Sequence, residues 1–314
     1  MKALVTGAGG FVGANLVRVL LSRGHEPVAA IRPNGDRWRL VELGSSVAQL
    51  EVDLGDLDAL ERAVLAERPD VIFHLAAHGA YSWQQDFPRM VSVNVLAMEA
   101  LLRVASQCGA AVVNAGTSSE YGYQDHAARE DELLRPNSHY AVTKAAATHL
   151  CQLAASADGV RAVTLRLYSI YGPWEEPGRL MPTLVRSACA GGWPPLVGRG
   201  TARDFVWVED ACEAFLSAAD AVLRGDRGFV FNIASGTQTT LESLVAVAAS
   251  VFGVQLEPEW GTMAGRAWDT SVWVGDATSA AEHLGWRAQT SLEDGLARMG
   301  AWLSEHPELE VRYG

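Results

Sequence analysis

The first 21 residues carry the feature that most narrows the folds open to this chain. A short apolar strand at residues 3–6 leads into a glycine-rich turn, and the turn leads into a helical stretch at residues 14–21. Gly7, Gly10 and Gly13 follow the spacing Gly-x-x-Gly-x-x-Gly. Glycines so placed permit a tight turn, let a pyrophosphate approach the helix N-terminus, and let the helix pack closely on the strand. An ordinary tight βα turn is the alternative, but a strand before the motif and a helix after it favour dinucleotide binding.

The alternation of strand and helix continues along the chain. Short β-rich runs are separated by Ala/Leu-rich stretches, which indicates βα units and a parallel sheet. A length of 314 residues suits one large α/β domain with a smaller lobe. The predicted strands are residues 3–6, 27–31, 48–52, 71–74, 111–114 and 162–167, and the predicted helices include residues 94–107 and 140–155.

Charge and cysteine content exclude several classes of function. With 37 acidic and 25 basic residues the net charge is −12, so we expect no nucleic-acid partner, which would require a basic footprint. The cysteines Cys108, Cys151, Cys189 and Cys212 are far apart, so we interpret them as reduced packing residues without a metal site. The glycine motif begins at residue 7, leaving no room for a signal peptide, and no apolar run is long enough for a membrane span. We therefore expect a cytoplasmic protein.

A second motif lies in the helical segment after residue 138. Tyr140 and Lys144 are four residues apart, so on a helix they share one face. An ammonium beside a phenol favours its ionised form and lowers its pKa. Tyr140 would then act as a general acid or base in carbinol–carbonyl interconversion.

Together these motifs resemble the extended branch of the short-chain dehydrogenase/reductase family, which modifies nucleotide sugars. The resemblance covers nearly the whole chain. It implies a doubly wound parallel (Rossmann) sheet in residues 1–172, with later segments interleaved, and a smaller α/β substrate lobe in residues 173–314. It also implies a homodimer formed through the helices at residues 94–107 and 140–155. The matching segments are residues 53–54, 74–77, 94, 116–122, 165–173, 203–210 and 229–236.

The resemblance implies a set of residues that bind the dinucleotide. One position departs from the NAD-binding pattern: Ile31 stands where the family's acidic residue is expected, and Arg32 follows. A guanidinium there can hold a 2′-phosphate, so NADP is preferred over NAD, although Arg32 could also be an ordinary loop arginine. The implied cofactor residues are Gly7, Gly10, Phe11, Val12, Gly13, Arg32, Asp53, Leu54, Leu75, Ala76, Ala77, Asn94, Tyr140 and Lys144.

The same resemblance assigns the chemistry. Tyr140 exchanges the proton, Lys144 also binds the nicotinamide ribose, and Thr117 polarises the substrate oxygen, with Ser118 as the alternative hydroxyl. Dehydratases of the family carry an acid two residues after the threonine, where this chain has Ser119. Glu120 is one residue later, so in an extended segment its side chain would face away from the substrate. This disfavours dehydration, unless a bulge turns the Glu120 side chain back toward the substrate.

Substrate contacts are expected from both halves of the chain. His78 and Tyr81 follow the fourth strand and could form a wall for a hexose, or could simply cap the core. Arg203 and Arg266 match diphosphate-clamping positions, and Arg179 is a looser match; surface ion pairing is the alternative for all three. Ser169 replaces the family's usual Asn.

These observations predict C4 chemistry on a nucleotide-linked hexose. NADPH-dependent reduction of an NDP-4-keto-6-deoxyhexose is the first expectation, because Arg32 suggests the phosphorylated cofactor and residues 116–122 resemble the segment of 4-ketoreductases. A 4-epimerase with tightly bound NAD is the alternative. A 4,6-dehydratase and a non-catalytic dinucleotide-binding protein are the remaining possibilities.

Overall fold

A seven-stranded parallel sheet lies at the centre of this computed structural model, which describes residues 1–81, 83–265 and 270–313. The strands of the chain are β1 (Lys2–Thr6), β2 (Glu26–Ile31), β3 (Ala48–Glu51), β4 (Val71–His74), β5 (Ala111–Thr117), β6 (Ala162–Leu167), β7 (Ser169–Tyr171), β8 (Ala202–Arg203), β9 (Phe205–Trp207), β10 (Val230–Ile233) and β11 (Thr239–Thr240). The order across the main sheet is β10-β6-β5-β4-β1-β2-β3. Strands β2 and β3 are added on one side of β1 and strand β4 on the other, so the strand order reverses between β1 and β4. Ligands of open α/β sheets bind at such a reversal.

Helices cover both faces of the sheet and also build the smaller lobe. They are α1 (Phe11–Ser22), α2 (Leu57–Glu67), α3 (Phe87–Val91), α4 (Ala97–Cys108), α5 (His139–Ala157), α6 (Leu180–Cys189), α7 (Val208–Arg224), α8 (Leu241–Phe252), α9 (Leu292–Glu305) and α10 (Glu310–Tyr313). Helices α1 and α7 pack with one buried cluster, and α2, α4 and α5 pack with the other. Neighbouring strand residues divide between these clusters, as Val5 and Leu4 do, because side chains alternate across a strand.

The smaller lobe has a core of its own. Leu184 of α6, Leu244 of α8 and Met299 of α9 are fully buried in one cluster with the aromatic ring of Trp207. Two short strand pairs form separate two-stranded sheets: β7 pairs in parallel with β9, and β8 pairs antiparallel with β11.

The predicted doubly wound sheet is confirmed, and each predicted strand overlaps an observed one. Strand β5 is longer than predicted because it continues to Thr117. Strand β10 and helix α7 lie after residue 172 yet complete the sheet and its covering layer.

Candidate active site

The glycine turn has the geometry that a dinucleotide requires. Gly7 has a φ of 71°, and a Cβ on it would lie 2.6 Å from the backbone nitrogen of Ala76. A Cβ on Gly13 would overlap the carbonyl oxygen of Gly7, so helix and strand pack too closely there for any side chain. Gly10 caps α1 without a side-chain hydrogen bond, and the first turn holds no acidic residue. The first N–H groups of α1 are therefore available to an anion, and these residues fit a pyrophosphate.

A cavity of about 1660 Å³ runs from this turn, along the carboxyl edge of the sheet, to the smaller lobe. It brings together almost all of the predicted site residues that the structure describes. Those on its wall are Gly7, Gly10, Phe11, Val12, Gly13, Arg32, Asp53, Leu54, Leu75, Ala76, Ala77, His78, Tyr81, Thr117, Ser118, Tyr140, Lys144, Arg179 and Arg203. Arg266 lies outside the described residues.

Helix α5 presents Tyr140 and Lys144 to the cavity. The helix begins at His139 because the Ser138 hydroxyl accepts a hydrogen bond from the N–H of Ala141 at 3.2 Å. Burial raises the pKa of the Tyr140 phenol to about 12; Glu120 adds to the rise and a hydrogen bond with Thr117 opposes it. Burial also lowers the pKa of Lys144, against the pull of Glu120. Our prediction that Lys144 lowers the pKa of Tyr140 is therefore wrong for the chain by itself, because desolvation dominates both groups.

Glu120 is held away from the cavity by a buried ion pair. The segment Ser118–Tyr121 forms a tight helical turn, not the extended segment that we assumed. The Oε2 atom of Glu120 accepts hydrogen bonds from Arg166 Nε and Thr148 Oγ1, each at 2.9 Å. Its Oε1 atom accepts from the N–H of Thr117 at 2.9 Å. Glu120 thus orients Thr117 from behind, and Ser118 and Ser119 face the cavity in its place.

Asn94, which we predicted as a cofactor contact, is buried beside the cavity and is not among the residues of its wall. Its Oδ1 accepts from the N–H of His78 at 2.8 Å, and its Nδ2 donates to the carbonyl of His78 at 2.8 Å. The same Nδ2 also donates to Thr143 Oγ1 at 2.9 Å. The buried amide ties the loop after β4 to helix α5.

At the adenosine end, two predicted contacts have different environments. Arg32 is exposed on the cavity wall; its backbone carbonyl accepts a hydrogen bond from the N–H of Gly35 at 2.9 Å, but its guanidinium makes no hydrogen bond or ion pair with another described residue. Asp53 Oδ1 accepts from the N–H of Gly55 at 2.8 Å and pairs with Arg89 at 2.7 Å. These contacts outweigh desolvation and hold the pKa of Asp53 below its ordinary value. Arg32 is therefore free to bind a ligand, and Asp53 is fixed in place.

On the substrate side the predicted residues form two aromatic–arginine pairs. The ring of Tyr81 stacks on Trp83 with centroids 4.6 Å apart, and the guanidinium of Arg179 lies 5.6 Å from the Tyr81 ring. Arg203 lies 5.5 Å from the ring of Trp273. Arginines supported by rings can bind a diphosphate while keeping a defined position.

Sequence reasoning missed two residues on this wall, Arg39 and Glu175. Buried Arg39 donates to the carbonyls of Gly9 at 3.3 Å and Trp174 at 2.6 Å, linking the glycine turn to the start of the smaller lobe. No local pattern marks Arg39, because its partners are distant in sequence. Glu175 had a weak signal, since it begins a pair of acidic residues directly after Gly-Pro-Trp.

Comparison with known proteins decides the family. The model of the NAD dependent epimerase/dehydratase family matches residues 3–234. The chain belongs to this family. As a family member it is an enzyme of the extended short-chain dehydrogenase/reductase type, and the named activities of its relatives are on nucleotide sugars.

Relatives within the epimerase/dehydratase family have different activities. The chain is 30% identical over 308 residues to the UDP-glucose 4-epimerase of Mycolicibacterium smegmatis, covering 95% of this chain and 97% of that protein. It is 31% identical over 318 residues to the dTDP-glucose 4,6-dehydratase of Streptomyces griseus, covering 96% and 94%. The structure of MoeE5 in complex with UDP-glucose and NAD aligns with a TM-score of 0.83 and 31% identity, covering 98% of this chain and 100% of that chain.

Among the described residues, no helix combines the length and apolar character that crossing a membrane requires. In the same part of the chain, no group of His, Cys, Asp and Glu side chains could hold a metal ion.

Proposed function

We propose that this enzyme is a 4-epimerase of a nucleoside-diphosphate hexose. The observation that carries the proposal is the position of Glu120, which is buried against Arg166 and leaves Ser118 and Ser119 beside Thr117 and Tyr140. Dehydration needs an acid or base next to the reacting carbons, and the serines do not supply one. A UDP-glucose 4-epimerase and a dTDP-glucose 4,6-dehydratase are about equally similar to the chain, so the choice between the two activities rests on Glu120.

Each residue of the site has a separate role in the proposed epimerisation. A bound dinucleotide, held at the glycine turn, would supply the hydride acceptor. Tyr140 takes the proton of the C4 hydroxyl and, after the 4-ketone has turned in the cavity, returns that proton to the C4 oxygen, while the hydride would return to the opposite face of C4. Thr117 donates to the same oxygen and stabilises its developing charge. Arg179 and Arg203 hold the diphosphate while the sugar turns.

Substrate panels without added cofactor test the proposal. We expect UDP-glucose or a related nucleotide sugar to be converted to its C4 epimer with no net change in dinucleotide absorbance. Product analysis by NMR identifies the stereochemistry. Formation of a 4-keto-6-deoxy sugar from dTDP-glucose would instead show a dehydratase and overturn the assignment.

The free guanidinium of Arg32 favours a second candidate, an NADPH-dependent 4-ketoreductase. If Arg32 binds a 2′-phosphate, Arg32→Ser should weaken NADPH binding by about 10–100-fold, because a charged hydrogen bond contributes roughly 1.5–3 kcal/mol. NADH binding should not change. Fluorescence titration of both cofactors measures the effect.

Arg37→Ser is the matched control, because Arg37 is on the same loop but pairs with Glu51 away from the cavity wall. Equal losses for NADPH and NADH in the Arg32 variant would contradict a 2′-phosphate contact. Reduction of a 4-keto-6-deoxy nucleotide sugar with stoichiometric loss of NADPH would favour the reductase over the epimerase.

A homodimer through α4 and α5 is also proposed. On α5, Val142 and Leu153 are 46% and 59% exposed and lie on one helical face, and Leu96 before α4 is 46% exposed. A second copy would cover these apolar side chains. We expect Leu153→Glu to shift the species seen in analytical ultracentrifugation from dimer to monomer; a wild-type monomer would refute the proposal.

A further inference from the structure

The cavity wall contains a buried carboxyl group that the proposed reaction does not use. The side chain of Glu175 is only 8% exposed, yet it borders the cavity. Its Oε2 atom has no hydrogen-bond partner among the described residues. A buried polar atom without a partner is costly, so a ligand that bonded to it would gain affinity.

The neighbours of Glu175 do not satisfy its carboxyl group. Arg179 Nε is 3.8 Å from Oε1, which is too far for a hydrogen bond. Arg39 donates to the adjacent Glu176 at 3.0 Å, and Tyr313 donates to the backbone carbonyl of Glu175 at 2.6 Å. Burial raises the pKa of Glu175 to about 8, Glu176 adds to the rise, and Arg179 and Arg39 oppose it. At neutral pH the carboxyl therefore keeps its proton and can donate a hydrogen bond.

Groups that attract anions flank this carboxyl. Arg179 caps α6, whose first turn has neither a side-chain cap nor an acidic residue. On the other side, Arg39 bridges the residue next to Glu175 and the carbonyl of Gly9 in the glycine turn. A carboxylate between two such sites would repel a phosphate, whereas the neutral acid would donate to it.

We propose that Glu175 binds a phosphate group in the cavity as a neutral carboxylic acid, so that phosphate binding is coupled to the uptake of one proton. The phosphate belongs either to the dinucleotide or to the nucleotide sugar. This inference rests on the proposed function only in requiring these two ligands, and it does not depend on which C4 reaction follows.

Calorimetric titration in buffers of different ionisation enthalpy counts the protons taken up. NADPH and UDP are titrated separately between pH 7 and pH 9.5. Because the free carboxyl titrates near pH 8 and binding raises its pKa, uptake should be small at pH 7 and approach one proton above pH 8. The affinity for that ligand should fall by up to about tenfold per pH unit above pH 8. Uptake with UDP alone assigns the phosphate to the substrate, and uptake with NADPH alone assigns it to the cofactor.

Two neighbouring glutamates provide a matched pair of variants. Glu175→Gln keeps a donor but cannot titrate, so it should bind at pH 9 as tightly as at pH 7. Glu176→Gln removes the more exposed carboxylate that pairs with Arg39 and should retain the proton uptake. Thermal melting verifies that both variants fold.

Two outcomes overturn the proposal: wild-type protein that takes up no proton with either ligand, or Glu175→Gln protein that takes up as many protons as wild type. Failure of the epimerase assay would leave these binding measurements intact, so the two proposals can fail separately.

Discussion

Replacing Tyr140 with Phe should lower kcat by about 10²–10⁴-fold, because the variant loses the proton donor and acceptor but keeps the ring. KM should change little, since the diphosphate is held by residues elsewhere in the cavity. Steady-state kinetics with the active nucleotide sugar give both constants.

Tyr171→Phe is the control for the loss of a phenol, because Tyr171 is not on the cavity wall and its hydroxyl has no hydrogen-bond partner among the described residues. Circular dichroism and dinucleotide titration verify that the Tyr140 variant is folded and binds its cofactor. Undiminished turnover in a folded Tyr140→Phe protein would remove Tyr140 from the mechanism and with it the proposed function.

Replacing Arg166 with Met should reduce the free energy of unfolding by about 3–5 kcal/mol, because it leaves a buried carboxylate without its partner. Glu120 is fully buried, and Arg166 Nη1 also donates to the hydroxyl of Tyr121 at 2.8 Å. Urea unfolding measures the change. Activity at temperatures where the variant stays folded should also fall, because Glu120 orients Thr117.

Arg199→Met tests whether burial of the ion pair is the cause of the large loss of unfolding free energy expected for Arg166→Met. Arg199 pairs with Glu242 at 3.1 Å, but both side chains are about 60% exposed, so its loss should cost about 0–1 kcal/mol. Equal losses of unfolding free energy in Arg166→Met and Arg199→Met would contradict the role of burial. Adding Glu120→Gln to Arg166→Met should recover part of the stability, since the remaining charge is removed.

Local patterns made the sheet and the catalytic pair predictable. The glycine turn follows from short-range sterics, and Tyr140 and Lys144 share a face whenever their segment is helical. The position of Glu120 was predicted only in part. Its direction away from the cavity was expected, but the cause is a tight turn and an ion pair with a residue 46 positions later.

The remaining features of the site depend on contacts that no sequence spacing encodes. Arg39 reaches Trp174, which is 135 residues away, and Asn94 reaches Thr143 across two helices. The pKa of the Tyr140 phenol is raised first by burial and then by Glu120, both of which depend on the tertiary packing around the helix and not on the spacing to Lys144. A resemblance can name such positions, but only the packing shows whether a side chain faces the ligand.

The return of β10 to the edge of the sheet limits how this protein can change by recombination. A crossover at residue 172 would separate β6 from its neighbour β10 and remove α7 from the face that it covers. The two lobes therefore do not correspond to two consecutive segments of sequence that could be exchanged separately. A chimera with another family member must therefore keep α7, β10 and the later segment with Ala280 and Trp286 together with the sheet on which they pack.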